Sequence, residues 1–300
     1  MKLQSQFSGT GVALVTPFQT DGAIDWSALE RIISYVLQEG GVDYIVSLGT
    51  TGEAITLSTA ECKEVFAFTQ KHVNGRVPLV AGLFGSNNTA TILDRYKTYS
   101  LDGFDAVLSS SPAYNKPSQE GIFQHYMKVA EASPLPIIIY NVPSRTGSNM
   151  SAKTIVRLAN ESEKFVAVKE ASGNIVQGME IIKNKPEHFL MLSGDDPITL
   201  PLIAAGGNGV ISVIANAYPK SFSTMVRSAI AGNFAEARVL NNKLLEVHPW
   251  LYVENNPCGI KAALHIMGLC ENTVRLPLVS QIGANYEGLR AAMDLTDLNS

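Results

Sequence analysis

The feature that most limits what this chain can become is a series of eight short apolar runs, at residues 11–15, 44–48, 78–81, 106–108, 136–140, 165–168, 189–192 and 209–213. Runs such as Ile137-Ile138-Ile139-Tyr140 are apolar at nearly every position instead of every second one. Strands read this way when both faces of a parallel sheet are covered. The runs start roughly 20 to 35 residues apart, which leaves room for one helix in each gap.

The gaps carry helical signals. After Asp25, an N-cap, Leu29, Ile32, Ile33, Val36 and Leu37 repeat at helical spacing up to Gly40-Gly41, a C-terminal stop. Ser58-Thr59-Ala60-Glu61 is a capping box opening a second helix through Val65 and Phe66. Similar patterns occupy residues 92–101, 121–132, 151–160, 174–184 and 196–205. Eight βα units in about 215 residues predict an α/β protein built as a closed (β/α)8 barrel, the TIM-barrel architecture, in preference to an open doubly wound sheet. From Pro219 onward only helical patterns remain, at 222–231, 234–251, 260–269 and 282–295. Asn256-Pro257 opens the third of these as N-cap and first helical residue. The expected division is a catalytic barrel at 1–218 and a C-terminal helical extension packed on it at 219–300.

Composition removes several classes of function. With 46% hydrophobic and 17% charged residues the chain is too apolar for disorder, and much of it must be covered on both sides. A net charge of -4 with no basic run lacks the footprint of a nucleic-acid binder, so an anionic ligand must be held by a few local groups. Cys62, Cys258 and Cys270 form no CxxC pair, and the five histidines lack metal-ligand spacing, which argues against a disulfide framework or zinc site. The start, Met1 to Phe7, carries no long apolar stretch, and no run reaches the roughly 18 residues of a membrane span, so a cytoplasmic protein is expected.

In such barrels chemistry sits where strands end. The second run leads into Gly49-Thr50-Thr51-Gly52-Glu53, whose glycines allow close backbone approach and whose hydroxyls can grip a small carboxylate; a plain tight turn is the alternative. The fourth leads into a polar loop holding Tyr114, a site phenol or a packing residue. The fifth ends in Tyr140-Asn-Val-Pro-Ser-Arg-Thr-Gly147, with Arg145 suited to bidentate carboxylate contact. Lys169 closes the sixth. It either snorkels to the rim, pairs with Glu170, or is desolvated toward the neutral amine that Schiff-base chemistry with a keto acid requires. A tyrosine ending the neighbouring run favours the last reading, because the phenol can serve as acid and base at an imine. Gly9-Thr10-Gly11 precedes a strand and lacks the third glycine of a dinucleotide fingerprint, so a nucleotide role is set aside. The missing glycine-rich loop after the last strand argues against phosphorylated substrates.

Together, Gly49-Thr-Thr-Gly-Glu53, Tyr140-Asn-Val-Pro-Ser-Arg-Thr-Gly147 and Val168-Lys-Glu-Ala-Ser-Gly173 resemble the motifs of the dihydrodipicolinate synthase family, in order and spacing, from about Gly11 through the C-terminal helices. The resemblance implies a homotetramer, a dimer of dimers, that condenses pyruvate with aspartate semialdehyde in lysine and diaminopimelate biosynthesis. It makes Lys169 the Schiff-base lysine and Tyr140 the proton-transfer residue. Thr50 links that tyrosine to Tyr114, which reaches in from the neighbouring subunit. Thr51 belongs to the pyruvate-carboxylate site, Arg145 receives the semialdehyde carboxylate, and Gly194 and Ile211 line the pocket. No metal or organic cofactor is implied. Related barrels, N-acetylneuraminate lyase and keto-deoxy sugar acid aldolases, are the alternative; they typically lack the arginine and have serine for the first threonine. An inactive barrel acting as a binding protein is the remote one.

Members of the family inhibited by lysine grip it with a tyrosine, a glutamate and two histidines. Here those places hold Ala113, Thr91, Thr59 and Cys62, with Asn87 retained. Losing an anion and an aromatic wall implies weak or absent lysine binding.

Overall fold

The computed structural model describes residues 6–296 and 298. Met1 to Ser5, most of the segment read above for a leader, lie outside the described residues. The eight runs become strands β1 (Gly9–Ala13), β2 (Tyr44–Ser47), β3 (Leu79–Ala81), β4 (Ala106–Ser110), β5 (Ile137–Asn141), β6 (Phe165–Glu170), β7 (Leu190–Ser193) and β8 (Gly209–Ser212). Each pairs in parallel with the next, and β8 returns to β1, so the barrel is closed. Its outer ring is α1 (Trp26–Val36), α2 (Thr59–Val73), α3 (Thr89–Thr98), α4 (Gln119–Ala132), α5 (Ala152–Glu161), α6 (Ile175–Asn184), α7 (Thr199–Ala204) and α8 (Pro219–Ile230).

Strand side chains alternate between two separate cores. Ile137, Ile139, Val168 and Met191 pack outward against helix residues such as Leu29, Ile32, Val65 and Ile155. Ile138, Tyr140, Ala167, Leu192 and Ile211 face into the barrel with Val46, Val80 and Leu108. Tyr44, fully buried in that inner core, packs edge-on against Phe7 and donates its hydroxyl to the Val210 carbonyl at 3.1 Å.

The first strand begins two residues earlier than its apolar run. Gly9-Thr10-Gly11 lies inside β1, because the Tyr44 ring occupies the space where a side chain on Gly11 would go. Two of the three forecast caps form: Asp25 accepts from the Ala28 amide, and Ser58 and Glu61 complete a capping box. Helix α1 stops at Val36, before the Gly40-Gly41 signal, and the Val42 amide turns back to the Val36 carbonyl on the way into β2.

The boundary drawn at Pro219 falls at the start of α8, which packs on β1, β8 and α1. Beyond the ring lie α9 (Phe234–Leu245), α10 (His248–Tyr252), α11 (Cys258–Ile266) and α12 (Gly283–Thr296). The expected single helix at 234–251 is two, with Pro249 in the first turn of the second. Among the described residues no helix is long and apolar enough to cross a membrane. Cys62, Cys258 and Cys270 are buried free thiols.

Two buried histidines give the fold a pH dependence. His125 of α4, held at Nδ1 by the Thr89 hydroxyl, and His248 of α10 are each pulled down to about 4 by burial. A group depressed in the folded state contributes stability above its unfolded value, near 6.5, and loses it as pH falls toward 4. Thermal melts between pH 7 and pH 4 should show a steep decline in midpoint, made shallower by His248→Gln. An unchanged slope in that variant would exclude His248 as a contributor.

Candidate active site

The register of β5 against β6 sets Tyr140 directly beside Lys169. Lys169 shares its parity with Ala167, so it points into the barrel, and it is only 4% exposed. Its Nζ lies 4.4 Å from the centre of the Tyr140 ring. The two plainer readings of this lysine fail on this geometry. It does not snorkel to the rim, and Glu170, of opposite parity, takes Asn141 Nδ2 (2.9 Å), Gln177 Nε2 (3.0 Å) and the Ser172 amide (2.8 Å) on the outer face.

Gly194 and Ile211 complete the surroundings. A Cβ on Gly194 would stand 2.9 Å from Lys169 Cγ and 2.6 Å from Ala171 Cβ, so the glycine is what lets the lysine stem stand upright. Ile211 is a fully buried inward residue of β8. Asp196, after β7, is buried, with Oδ2 accepting from the Val213 and Ile214 amides at 3.0 and 2.8 Å and Oδ1 without a hydrogen-bond partner among the described residues. Burial raises its pKa, opposed by those amides, the Ser212 hydroxyl and the Lys169 charge.

The turn after β2 is a tight turn and more. The Gly52 and Glu53 amides close onto the Gly49 and Thr50 carbonyls, and Glu53 adopts a left-handed φ of 50°. Among the described residues the amides of Thr50 and Thr51 donate to no protein acceptor. Thr51 is buried, and its hydroxyl takes Asn256 Nδ2 at 3.0 Å. Arg145 sits in the helical turn Pro143–Thr146 beyond β5 and donates from Nη2 to the Asn256 carbonyl at 3.0 Å. Tyr114 stands apart at 88% exposure with a left-handed φ of 67°, tied down by its amide on the Thr146 carbonyl. Within one chain it is not packed into the barrel mouth.

Two of these contacts come from the C-terminal tail and correct the sequence reading. Asn256 is no helix cap: α11 starts at Cys258 without a side-chain cap, and the amide of Asn256 reaches back to Thr51. Lys261, on α11, is fully buried and donates to the Glu53 carboxylate and to the Thr273 carbonyl, lying 3.9 Å over the Phe18 ring. Burial lowers its pKa and Glu53 opposes that. The usable signal for Lys261 was a lone charge inside the apolar helical pattern at 260–269; for Asn256 there was none.

An amine buried at a strand end, a phenol across the ladder and a turn with spare donors are the equipment of a Schiff-base-forming barrel enzyme. The sequence matches the dihydrodipicolinate synthetase family over residues 6–295. It is 53% identical over 274 residues to the 4-hydroxy-tetrahydrodipicolinate synthase of Flavobacterium psychrophilum, 91% of this chain and 93% of that one. Among solved structures, the chloride-inhibited dihydrodipicolinate synthase of Acinetobacter baumannii complexed with pyruvate superposes with a TM-score of 0.93 at 41% identity, covering 97% of this chain and 99% of that one. The 4-hydroxy-tetrahydrodipicolinate synthase of Methylacidiphilum fumariolicum SolV gives a TM-score of 0.92 at 39% identity, covering 97% and 96%. The chain belongs to the dihydrodipicolinate synthetase family. Its activity is 4-hydroxy-tetrahydrodipicolinate synthase, of the lyase class, in lysine and diaminopimelate biosynthesis.

Proposed function

We propose that Lys169 carries this activity as the covalent nucleophile toward pyruvate, with L-aspartate 4-semialdehyde as the second substrate. The supporting observation is the buried Lys169 amine beside the Tyr140 ring. The amine adds to the pyruvate carbonyl carbon and water leaves, giving an imine. Loss of a methyl proton gives the enamine, whose carbon attacks the aldehyde of the semialdehyde. The semialdehyde amine then adds at the imine carbon, expels Lys169 and closes the ring. In this reading Tyr140 moves the protons of these steps, through Thr50 and a Tyr114 phenol from a neighbouring subunit. The 88% exposure of Tyr114 supports that crossing and a homotetramer built as a dimer of dimers. Thr51 and the turn amides take the pyruvate carboxylate, Arg145 the semialdehyde carboxylate, and Gly194 and Ile211 shape the pocket. The acidic balance of the chain does not oppose two anionic substrates, since each meets its own local donors.

The test is to incubate protein, pyruvate and borohydride and map the adduct. A reduced pyruvyl group on Lys169, with semialdehyde consumed when both substrates are supplied, supports the reading; an unmodified Lys169 overturns it.

Lysine inhibition should be weak or absent. Ala113, Thr91, Thr59 and Cys62 present no anion, and the Cys62 thiol, pushed up to about 11 chiefly by burial, is neutral. Asn87, exposed, is the retained polar group. A lysine titration giving strong inhibition below millimolar concentration would contradict this.

A further inference from the structure

We propose that Asn256 is a positioning residue shared by the two carboxylate subsites, its side chain fixing the polarity of the Thr51 hydroxyl and its main-chain carbonyl holding Arg145. The proposal rests on the substrate roles of Thr51 and Arg145 given above and adds the residue that ties them together.

A threonine hydroxyl offers one proton and two acceptor sites. Asn256 Nδ2 donates to Thr51 Oγ1 at 3.0 Å, which occupies an acceptor site and leaves the proton to be given elsewhere. No second partner of that hydroxyl exists among the described residues, so its proton is available to a carboxylate. Without Asn256 the hydroxyl is free to rotate, and a carboxylate at 256 would itself capture the proton. Asn256 is 7% exposed, so water does not readily replace it. At the same residue, the carbonyl accepts from Arg145 Nη2 at 3.0 Å. That contact fixes one end of an otherwise exposed guanidinium and leaves the other for a bidentate ligand. One residue of the tail, 205 positions from Thr51 and 111 from Arg145, thus sets the distance between the two donors.

The geometry makes a directional forecast. Asn256→Ala should raise the KM for pyruvate roughly tenfold, as expected for losing one orienting hydrogen bond to a charged ligand's donor. Asn256→Asp, of nearly the same volume, should raise it further, about 100-fold, because it reverses the polarity of the Thr51 contact and adds a repelling charge. The KM for the semialdehyde should rise several-fold in both, because the Arg145 anchor loosens, while kcat at saturation stays within a few-fold of wild type. In a Thr51→Val background, Asn256→Ala should add nothing to the pyruvate KM. Thermal melts report whether each variant folds, and if the aspartate variant does not, the Thr51→Val cycle carries the test alone. A pyruvate KM unchanged in Asn256→Asp, additive effects with Thr51→Val, or a semialdehyde KM that does not move would each overturn the proposal. Failure of wild-type protein to be trapped by borohydride is a separate outcome and overturns the Lys169 reading instead.

Discussion

Replacing Lys169 with alanine is expected to lower kcat by on the order of 10⁴-fold and to abolish borohydride trapping of pyruvate, with the barrel still folded. The size follows from what the side chain does: without the amine there is no imine, no electron sink for the methyl proton, and no enamine to attack the aldehyde. Lys169→Arg should be equally inactive, since a guanidinium keeps its proton and cannot add to a carbonyl. Folding should survive because Lys169 forms no salt bridge among the described residues: Glu170 is satisfied on the outer face by Asn141, Gln177 and Ser172, and Asp196, which the Lys169 charge also influences, keeps the Val213 and Ile214 amides. The Tyr140 ring contact is the main packing loss. Melting curves for wild type and both variants should agree within a few degrees. Turnover above about 1% of wild type in Lys169→Ala, with both substrates at saturation, would remove this residue from the chemistry.

Much of this site was readable because local sequence and barrel topology point the same way. A strand buried on both faces has no choice but to be apolar, so a lysine at 169 marks the strand's end and the barrel's mouth. The tyrosine closing the preceding run then had to stand next to it, and the ladder pairs them residue for residue. The first strand starts two residues before its apolar run because Gly9 and Thr10 carry no apolar signal; Gly9 and Gly11 are glycines to admit Asp43 and the Tyr44 ring. What could not be read were contacts made across the whole chain. Nothing near Asn256 announces Thr51, and its position before a proline suggests a helix cap. Asp196, next to Pro197 and at the start of a helical pattern, looks like an ordinary first-turn acid, yet it is buried against the amides of Val213 and Ile214. Such contacts belong to the folded geometry of the tail and the loops after β7 and β8.

Breaking the buried Glu53–Lys261 pair is expected to cost about 3–5 kcal/mol and to lower the thermal midpoint by roughly 10 °C. Both side chains are essentially without solvent contact, so Lys261→Met leaves the Glu53 carboxylate charged in an apolar setting. Among the described residues Glu53 then keeps only the Arg275 amide at 3.0 Å, and Phe18 loses one of the two cations stacked on it, the other being Arg275 at 4.5 Å. The double variant Glu53→Gln/Lys261→Met should recover more than half of the lost stability. Glutamine can still accept from Arg275, and methionine can still pack on Phe18. Salt distinguishes this pair from the partly exposed Arg275–Glu61 bridge: raising ionic strength should weaken the latter and leave the Glu53 coupling unchanged. The consequence reaches the site, because Glu53 is the last residue of the turn that presents Thr50 and Thr51. Lys261→Met should therefore raise the pyruvate KM even at temperatures where the protein is fully folded, and the double variant should bring it back toward wild type. If the double variant melts as low as the single one, the cost lies in packing around α11 and not in a stranded charge. If its pyruvate KM stays high while its stability returns, the ion pair itself, and not merely the absence of an unpaired carboxylate, holds the turn in its working geometry.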